Sequence, residues 1–290
     1  MTYQGYTIFQ NKRFGEVYAK ELKRERLFFE DNQISVSRNK HLGNLIGYLD
    51  FPIIKNQAIF FRKLKKFAQK RKIPQIHVRT TITRPELEPL LAEEGGTYIL
   101  DLSKSEEKIW QNFRPSCRQK IKKAMSLKIL KITKSNSLKE FESWYGLYKK
   151  TAHQKKFEAY DKSLLSKLFK EKGLSQLFIV FVKRQIAGGV FLLIDNYPMR
   201  FLAASDSEFY QYNPNNLLEW EIIKWAKKND YPIYDFFEAR EGEGGPSEFK
   251  RGFGGEFVKI YTYKIVTSPL WSYIIDVSAL VSRTLARYKT

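Results

Sequence analysis

The stretch Phe249-Lys250-Arg251-Gly252-Phe253-Gly254-Gly255-Glu256 gathers the residue types best able to do chemistry. Glycines at 252, 254 and 255 let backbone approach a ligand and leave amide N–H groups free to point at it. Lys250 sets a cation beside that backbone. Amide formation passes through a tetrahedral oxyanion, and a fixed cation aimed at it lowers the barrier. A tight turn between strands, with a solvated lysine, accounts for the same residues equally well. Residues 241–248, Glu-Gly-Glu-Gly-Gly-Pro-Ser-Glu, read as the loop leading in.

Other chemistries lack their residues. His41, His77 and His153 stand singly, no His/Cys/carboxylate cluster has metal spacing, and neither a nucleophile elbow nor a P-loop occurs. A metalloenzyme, a Ser or Cys hydrolase and a P-loop NTPase are thereby disfavoured. Cys117 is alone, so no disulfide framework forms, and a reducing cytoplasm is expected. No apolar run reaches the roughly 20 residues that span a bilayer, and the first residues, Met1-Thr2-Tyr3-Gln4-Gly5, lack a signal-peptide pattern.

The elements that must position such a site read as mixed α/β. Short strands are expected over 26–51 and at 76–80 and 98–102, with a basic helix at 55–72 stopped by Pro74 and another helix at 85–94. Ser105-Glu106-Glu107 opens a helix with acids at the positive end of its dipole. Helices follow at 137–157, 161–172 and 215–228, and strands at 177–182, 190–194, 199–204, 233–237 and 256–266. Antiparallel strands, a helix and further strands suit an α+β acyltransferase domain better than a Rossmann sheet. The first hundred residues look like a smaller version of the same plan.

Charge points toward anionic partners. The 290 residues carry 51 Lys and Arg against 31 Asp and Glu, a formal charge of +20, which attracts nucleic acid, anionic lipid or a pyrophosphate group. Residues 62–72 hold seven cations, and residues 108–139 hold ten with no acid among them. Such surfaces suit an RNA backbone; a solvated helix face is the ordinary alternative. Asp101 and Asp235 sit at strand positions, where capping or ion pairing competes with ordering a substrate amine. The tail, 268–290, spaces Leu270, Ile274, Val277, Val281 and Leu285 as an amphipathic helix with cations near its end, suited either to anionic lipid or to packing on the first domain.

Phe-Lys-x-Gly-Phe-Gly-Gly resembles the closing signature of the FemABX family, whose members carry amino acids from aminoacyl-tRNA onto the peptide of a peptidoglycan precursor. Further stretches resemble it in order: Leu100-Asp101-Leu102 with Trp110, Phe113 and Arg118; Tyr145 to Phe157; Ala187-Gly188 through Ala203-Ala204-Ser205; then Asn215, Leu217-Leu218, Trp220-Glu221 and Tyr234-Asp235-Phe236. The likeness covers about 98–265.

The resemblance implies an α+β fold of two GNAT-like domains (the acyl-CoA N-acyltransferase type), at 1–104 and 105–267, with the helix at 268–290 and no coiled-coil arm. It implies a cytoplasmic monomer, resting peripherally on the inner face of the plasma membrane if the tail binds lipid. Aminoacyl-tRNA is the expected donor, no cofactor is required, and the acceptor is a lipid- or nucleotide-linked cell-wall precursor. Lys250 and Phe249 match the catalytic positions. Gly252, Gly254, Gly255, Tyr210, Asn215, Tyr234, Asp235 and Arg118 are the expected substrate-binding set. Tyr18 and Gln211 depart from the pattern, standing where basic phosphate-contacting residues are expected. An acyl-CoA-dependent N-acyltransferase acting on a polysaccharide or lipid is the alternative, although residues 251–256 fail the CoA pyrophosphate pattern. A non-catalytic module binding RNA or membrane is a second alternative.

Overall fold

A computed structural model describes residues 7–39, 43–82, 95–240 and 244–287. The chain divides into two compact units, Met1–Glu94 with Ile260–Thr290, and Gly95–Lys259. This differs from a cut at 104 with a separate tail. The last strand and the tail helix belong to the first unit because they pair and hydrogen-bond with residues 73–80, partners too distant in sequence for a local pattern to reveal.

In the first unit, Asn11 caps α1 (Lys12–Glu21), its Oδ1 accepting from the N–H groups of Arg13 at 3.0 Å and Phe14 at 3.2 Å. Strands β1 (Glu25–Phe29), β2 (Asn32–Asn39) and β3 (Gly43–Asp50) run antiparallel. Helix α2 (Gln57–Lys70) crosses over to β4 (Gln75–Thr80), which lies parallel to β3 through five register positions, Ile46↔Gln75 to Asp50↔Arg79. Phe60, Leu64 and Ala68, spaced four apart on α2, bury against Ile34, Val36, Ile76 and Val78. The cations of 62–72 fall between them and stay exposed. The helix expected at 85–94 lies outside the described residues.

The second unit begins with β5 (Gly95–Asp101), α3 (Glu106–Asn112) and α4 (Pro115–Ser126). Strand β6 (Leu130–Ser135) leads through α5 (Leu138–Lys155) and α6 (Lys162–Lys170) to the meander β7 (Ser175–Val182), β8 (Gln185–Ile194) and β9 (Pro198–Ser205). Helix α7 (Pro214–Lys228) then crosses to β10 (Ile233–Asp235), parallel to β9 and antiparallel to β5. The short β11 (Ala239–Arg240) pairs with β5. Both units thus share one plan: antiparallel strands ending in a parallel pair bridged by a helix. The second core packs Leu218, Ile222, Ile223 and Ala226 of α7 against Val180, Val190 and Leu192.

Residues 244–252 are not the loop that their glycines suggest. Gly244–Gly252 form α8, with Pro246 in its first turn, where proline is tolerated. Strand β12 (Glu256–Val266) follows, pairing antiparallel with β4 from Tyr261↔Thr80 to Val266↔Gln75, and α9 (Pro269–Arg287) closes the first unit.

Candidate active site

Lys250 is the centre of the site, and it is not solvated: only 7 % of it is exposed. Helix α8 carries it inward, and its Nζ donates to the carbonyls of Phe237 and Glu238, just past the end of β10. Burial, reinforced by the positive charge of Arg200, pushes its pKa down to about 7, against the pull of Asp235, Glu219 and Glu238. At neutral pH this amine exchanges readily between its two protonation states.

The backbone it holds is strained. Phe237 sits in the left-handed region at φ 52, a conformation uncommon for a bulky residue. Buried Asp235 fixes it from the other side, its Oδ1 accepting the Phe237 N–H at 2.7 Å and the Thr97 hydroxyl at 2.5 Å. The chain therefore leaves the sheet at this point. The parallel pair β9–β10 shares a single register position, Asp235 opposite Met199, and then the strands part. Phe201 and Phe237 meet there with ring centroids 5.5 Å apart.

An ion pair between the half-buried Arg200 and the buried Glu219 supports this opening. Arg200 of β9 donates from Nε to Glu219 of α7 at 2.9 Å, and Glu219 accepts the Tyr234 hydroxyl at 2.6 Å. The Arg200 guanidinium lies 5.5 Å from the centroid of the Phe249 ring. Arg200, Glu219 and Thr97 were not singled out by sequence reasoning. One signal was present: Glu219 falls between Leu218 and Trp220 on the apolar side of α7, where a carboxylate must find a partner.

The expected site residues separate into several places. Lys250, Phe249, Tyr234 and Asp235 do come together around the end of β10. Tyr234 and Asp235, however, are fully buried with their polar atoms committed to Glu219, Thr97 and Phe237, so they shape the site from beneath. Phe249 lies within α8 and contributes its ring, not a loop backbone.

Two of the three glycines, Gly254 and Gly255, serve packing. Gly254 needs φ +71, donates its N–H to the Arg251 carbonyl at 3.1 Å, and would place a Cβ 2.7 Å from the Asn112 oxygen. A Cβ at Gly255 would press on Tyr98 at 3.2 Å, and one at Gly252 would touch Cys117 at 3.6 Å. The expectation of free amides at Gly254 is therefore corrected. Gly252 in turn offers its carbonyl to the Arg114 N–H at 2.9 Å, tying α8 to the α3–α4 link.

Arg118 is likewise a structural residue, donating to the carbonyls of Gln111 at 2.7 Å and Phe113 at 2.6 Å and so closing the end of α3. Tyr210 and Asn215 lie at the β9–α7 connection: the half-exposed Tyr210 meets Ser205 at 3.1 Å, and Asn215 fills the space left by Gly188. Trp110 and Phe113, set among the cations of 108–139, pack tilted or edge-on against Trp220 and Phe253 in the core of the second unit. Asp101 accepts from Ser103, which holds its carboxyl below the usual range.

Among the described residues no group of three or more His, Cys, Asp or Glu could hold a metal ion, and no helix is long and apolar enough to cross a membrane.

The fold has counterparts in known proteins. Residues 111–251 match the model of the acetyltransferase (GNAT) domain family. No curated protein sequence matches the chain. FemX superposes with a TM-score of 0.70 at 15 % identity, covering 90 % of this chain and 93 % of that one. The C-terminal domain of a protein assigned as a lysylphosphatidylglycerol synthetase in Agrobacterium fabrum gives 0.63 at 11 % identity, covering 96 % and 92 %. A tandem GNAT protein from the clavulanic acid biosynthesis pathway gives 0.51 at 8 % identity, covering 82 % and 79 %. In fold, then, the chain is similar to FemX, with two GNAT-like units of which the second carries the residues matched by the acetyltransferase (GNAT) domain model.

Proposed function

We propose that the chain is an aminoacyltransferase that forms an amide bond on a cell-envelope precursor, with aminoacyl-tRNA as donor, acting as a monomer. The observation that carries this reading is the buried Lys250 amine, held on two carbonyls where β9 and β10 part, inside a GNAT domain with the fold of FemX.

The acceptor amine attacks the ester carbonyl, whose oxygen becomes an oxyanion. The C–O bond to the ribose then breaks, and the leaving oxygen takes a proton. With a pKa of about 7, Lys250 in its charged form stabilises the oxyanion and hands a proton to the leaving group, and the neutral amine then takes up the proton that the attacking nitrogen sheds as it becomes an amide. Arg200 fixes Phe249 beside it, while Asp235 keeps the strained turn at Phe237 in place.

The exposed cations Lys120, Lys122, Lys123, Lys128, Lys131 and Lys134 supply an acid-free surface for the phosphates of RNA. CoA is the weaker donor. The turn that precedes α7, the helix following the opened strand, carries the exposed Glu208 and Asp206, the latter paired with Lys150 at 3.2 Å, a poor seat for a pyrophosphate, and α8 gives way to a strand. On the acceptor side, the likeness to a lysylphosphatidylglycerol synthetase favours a lipid-linked molecule, and tyrosine and glutamine at 18 and 211 weaken the case for a nucleotide pyrophosphate.

The test supplies purified protein with total tRNA charged with labelled amino acids, or with labelled acyl-CoA, plus a precursor extract. Transfer of label from tRNA, lowered on the order of 10²-fold in Lys250→Ala and with tRNA binding that weakens steeply with salt, supports the reading. Consumption of acyl-CoA alone, or unchanged turnover by Lys250→Ala, overturns it.

A further inference from the structure

Among the described residues, the first two turns of helix α9 are held to the first unit by one face. Ser272, 3 % exposed, donates to the Gln75 Oε1 at 2.6 Å; Ile275 is buried; and Asp276 accepts from Gln75 at 3.4 Å and pairs with Lys264. The start of the helix is pinned as well, since the N–H groups of Thr267 and Ser268 both donate to the Pro74 carbonyl, at 2.9 and 3.2 Å. A helix anchored at these points cannot roll to hide its other side.

That other side is apolar and open. Leu270 is 68 % exposed, Tyr273 69 %, Ile274 41 %, Val277 41 % and Trp271 39 %. Residues 270, 273, 274 and 277 follow one another at the three- and four-residue spacing that aligns them along a single stripe. Isolated exposed apolar residues are ordinary, whereas five on two turns of one helix mark a surface built for contact.

We propose that the outer face of α9 docks on an anionic lipid bilayer. Charge selects this occupant. The chain carries +20 overall, and beyond Asp276, itself neutralised by Lys264, the tail adds Arg283, Arg287 and Lys289 with no acid. A second copy of the chain would bring an equal positive charge against that face. A bilayer of anionic lipid offers both an apolar layer for Leu270, Ile274 and Val277 and opposite charge for the cations. Tyr273 and Trp271 are amphipathic rings that settle at the boundary between the two. This inference does not depend on the donor or acceptor proposed above.

The experiment is co-sedimentation of the full chain with vesicles of phosphatidylglycerol and phosphatidylcholine, against phosphatidylcholine alone. Because the outer face carries no polar partner, the double variant Leu270→Asp/Tyr273→Asp keeps the thermal transition of the wild type. It should lower partitioning to anionic vesicles by roughly tenfold or more. Tryptophan emission of the wild type, but not of Trp271→Phe, should shift to shorter wavelength on adding anionic vesicles. Equal binding to neutral vesicles, unchanged partitioning of the double variant, or an unshifted emission overturns the proposal. So does a wild-type dimer that the double variant converts to monomer, which would make the second copy the occupant. Loss of aminoacyl transfer with vesicle binding intact would leave this proposal standing and sink only the catalytic one.

Discussion

Replacing Lys250 by methionine tests whether the amine is buried at a cost that the fold bears for a reason. Methionine keeps the length and apolar stem of the side chain and removes the titrating nitrogen. The pKa of Lys250 falls from 10.5 to about 7, and burial is the main cause. At about 1.4 kcal/mol per pH unit that difference corresponds to roughly 5 kcal/mol.

The sign follows from proton counting. Between pH 7 and 10.5 the unfolded chain holds a proton on Lys250 that the folded chain has released, so wild-type stability rises with pH across that window. Below about 7 both states are protonated and the full cost is present. The methionine variant has no such dependence. Urea unfolding of both proteins at pH 6, 8 and 10, followed by circular dichroism, should therefore show wild type gaining several kcal/mol on Lys250→Met between the extremes. Other titrating groups cancel in the difference. A difference flat in pH would refute the buried, half-neutral amine and with it the argument that this lysine is tuned for proton transfer.

Three further outcomes follow from the same structure. Glu219→Leu leaves Arg200 without its carboxylate and should destabilise the second unit by about 3–5 kcal/mol, and adding Arg200→Met should recover much of that loss in thermal unfolding. Gly254→Ala forces an alanine to φ +71 with its Cβ 2.7 Å from the Asn112 carbonyl oxygen, and should cost more than about 1 kcal/mol, whereas Gly252→Ala should be tolerated in the same melt. His77 is pushed down to about 4 by burial and by Lys264, so the unfolded chain takes up a proton near 6.5 that the folded chain refuses; stability should fall as pH drops from about 6.5 to 4, and His77→Leu should flatten that fall.

Local periodicity made most elements legible. The apolar runs that became β7 and β8, the amphipathic α7 and the alternation of β12 were evident because each signal lies within a dozen residues. Helix α8 was not, because Gly244, Gly245 and Gly252 argue for a loop on propensity alone. Packing of Phe249 on Phe253, 5.1 Å apart, and burial of Lys250 outweigh that preference. The return of β12 and α9 to the first unit was hidden for another reason: Tyr263 opposite Val78 is a pairing across nearly two hundred residues that no local pattern encodes. At the site, Lys250 stood out by its glycine-rich setting. Arg200 did not, because its role depends on Glu219 and Tyr234, which reach it from a different helix and strand.

The two units provide an internal comparison. Each has a parallel pair of strands bridged by one helix, β3–β4 through α2 and β9–β10 through α7. In the first unit the pair runs through five register positions; in the second it shares one and opens. The departures from ordinary folding preference collect where it opens: a phenylalanine at φ 52, a lysine 7 % exposed and an arginine paired with a buried glutamate. Each alone has a structural excuse, since Lys250 holds the Phe237 carbonyl and Glu219 neutralises Arg200. Together they form a costly arrangement whose product is a gap between strands with a titratable amine at its end. The first unit also turns at a left-handed phenylalanine, Phe51 at φ 52 just past β3, but it keeps its parallel strands paired, and no lysine is buried among its described residues. A fold that needed only to be stable had the closed version to hand, and this contrast supports the proposal that the chemistry occurs at the opening in the second unit.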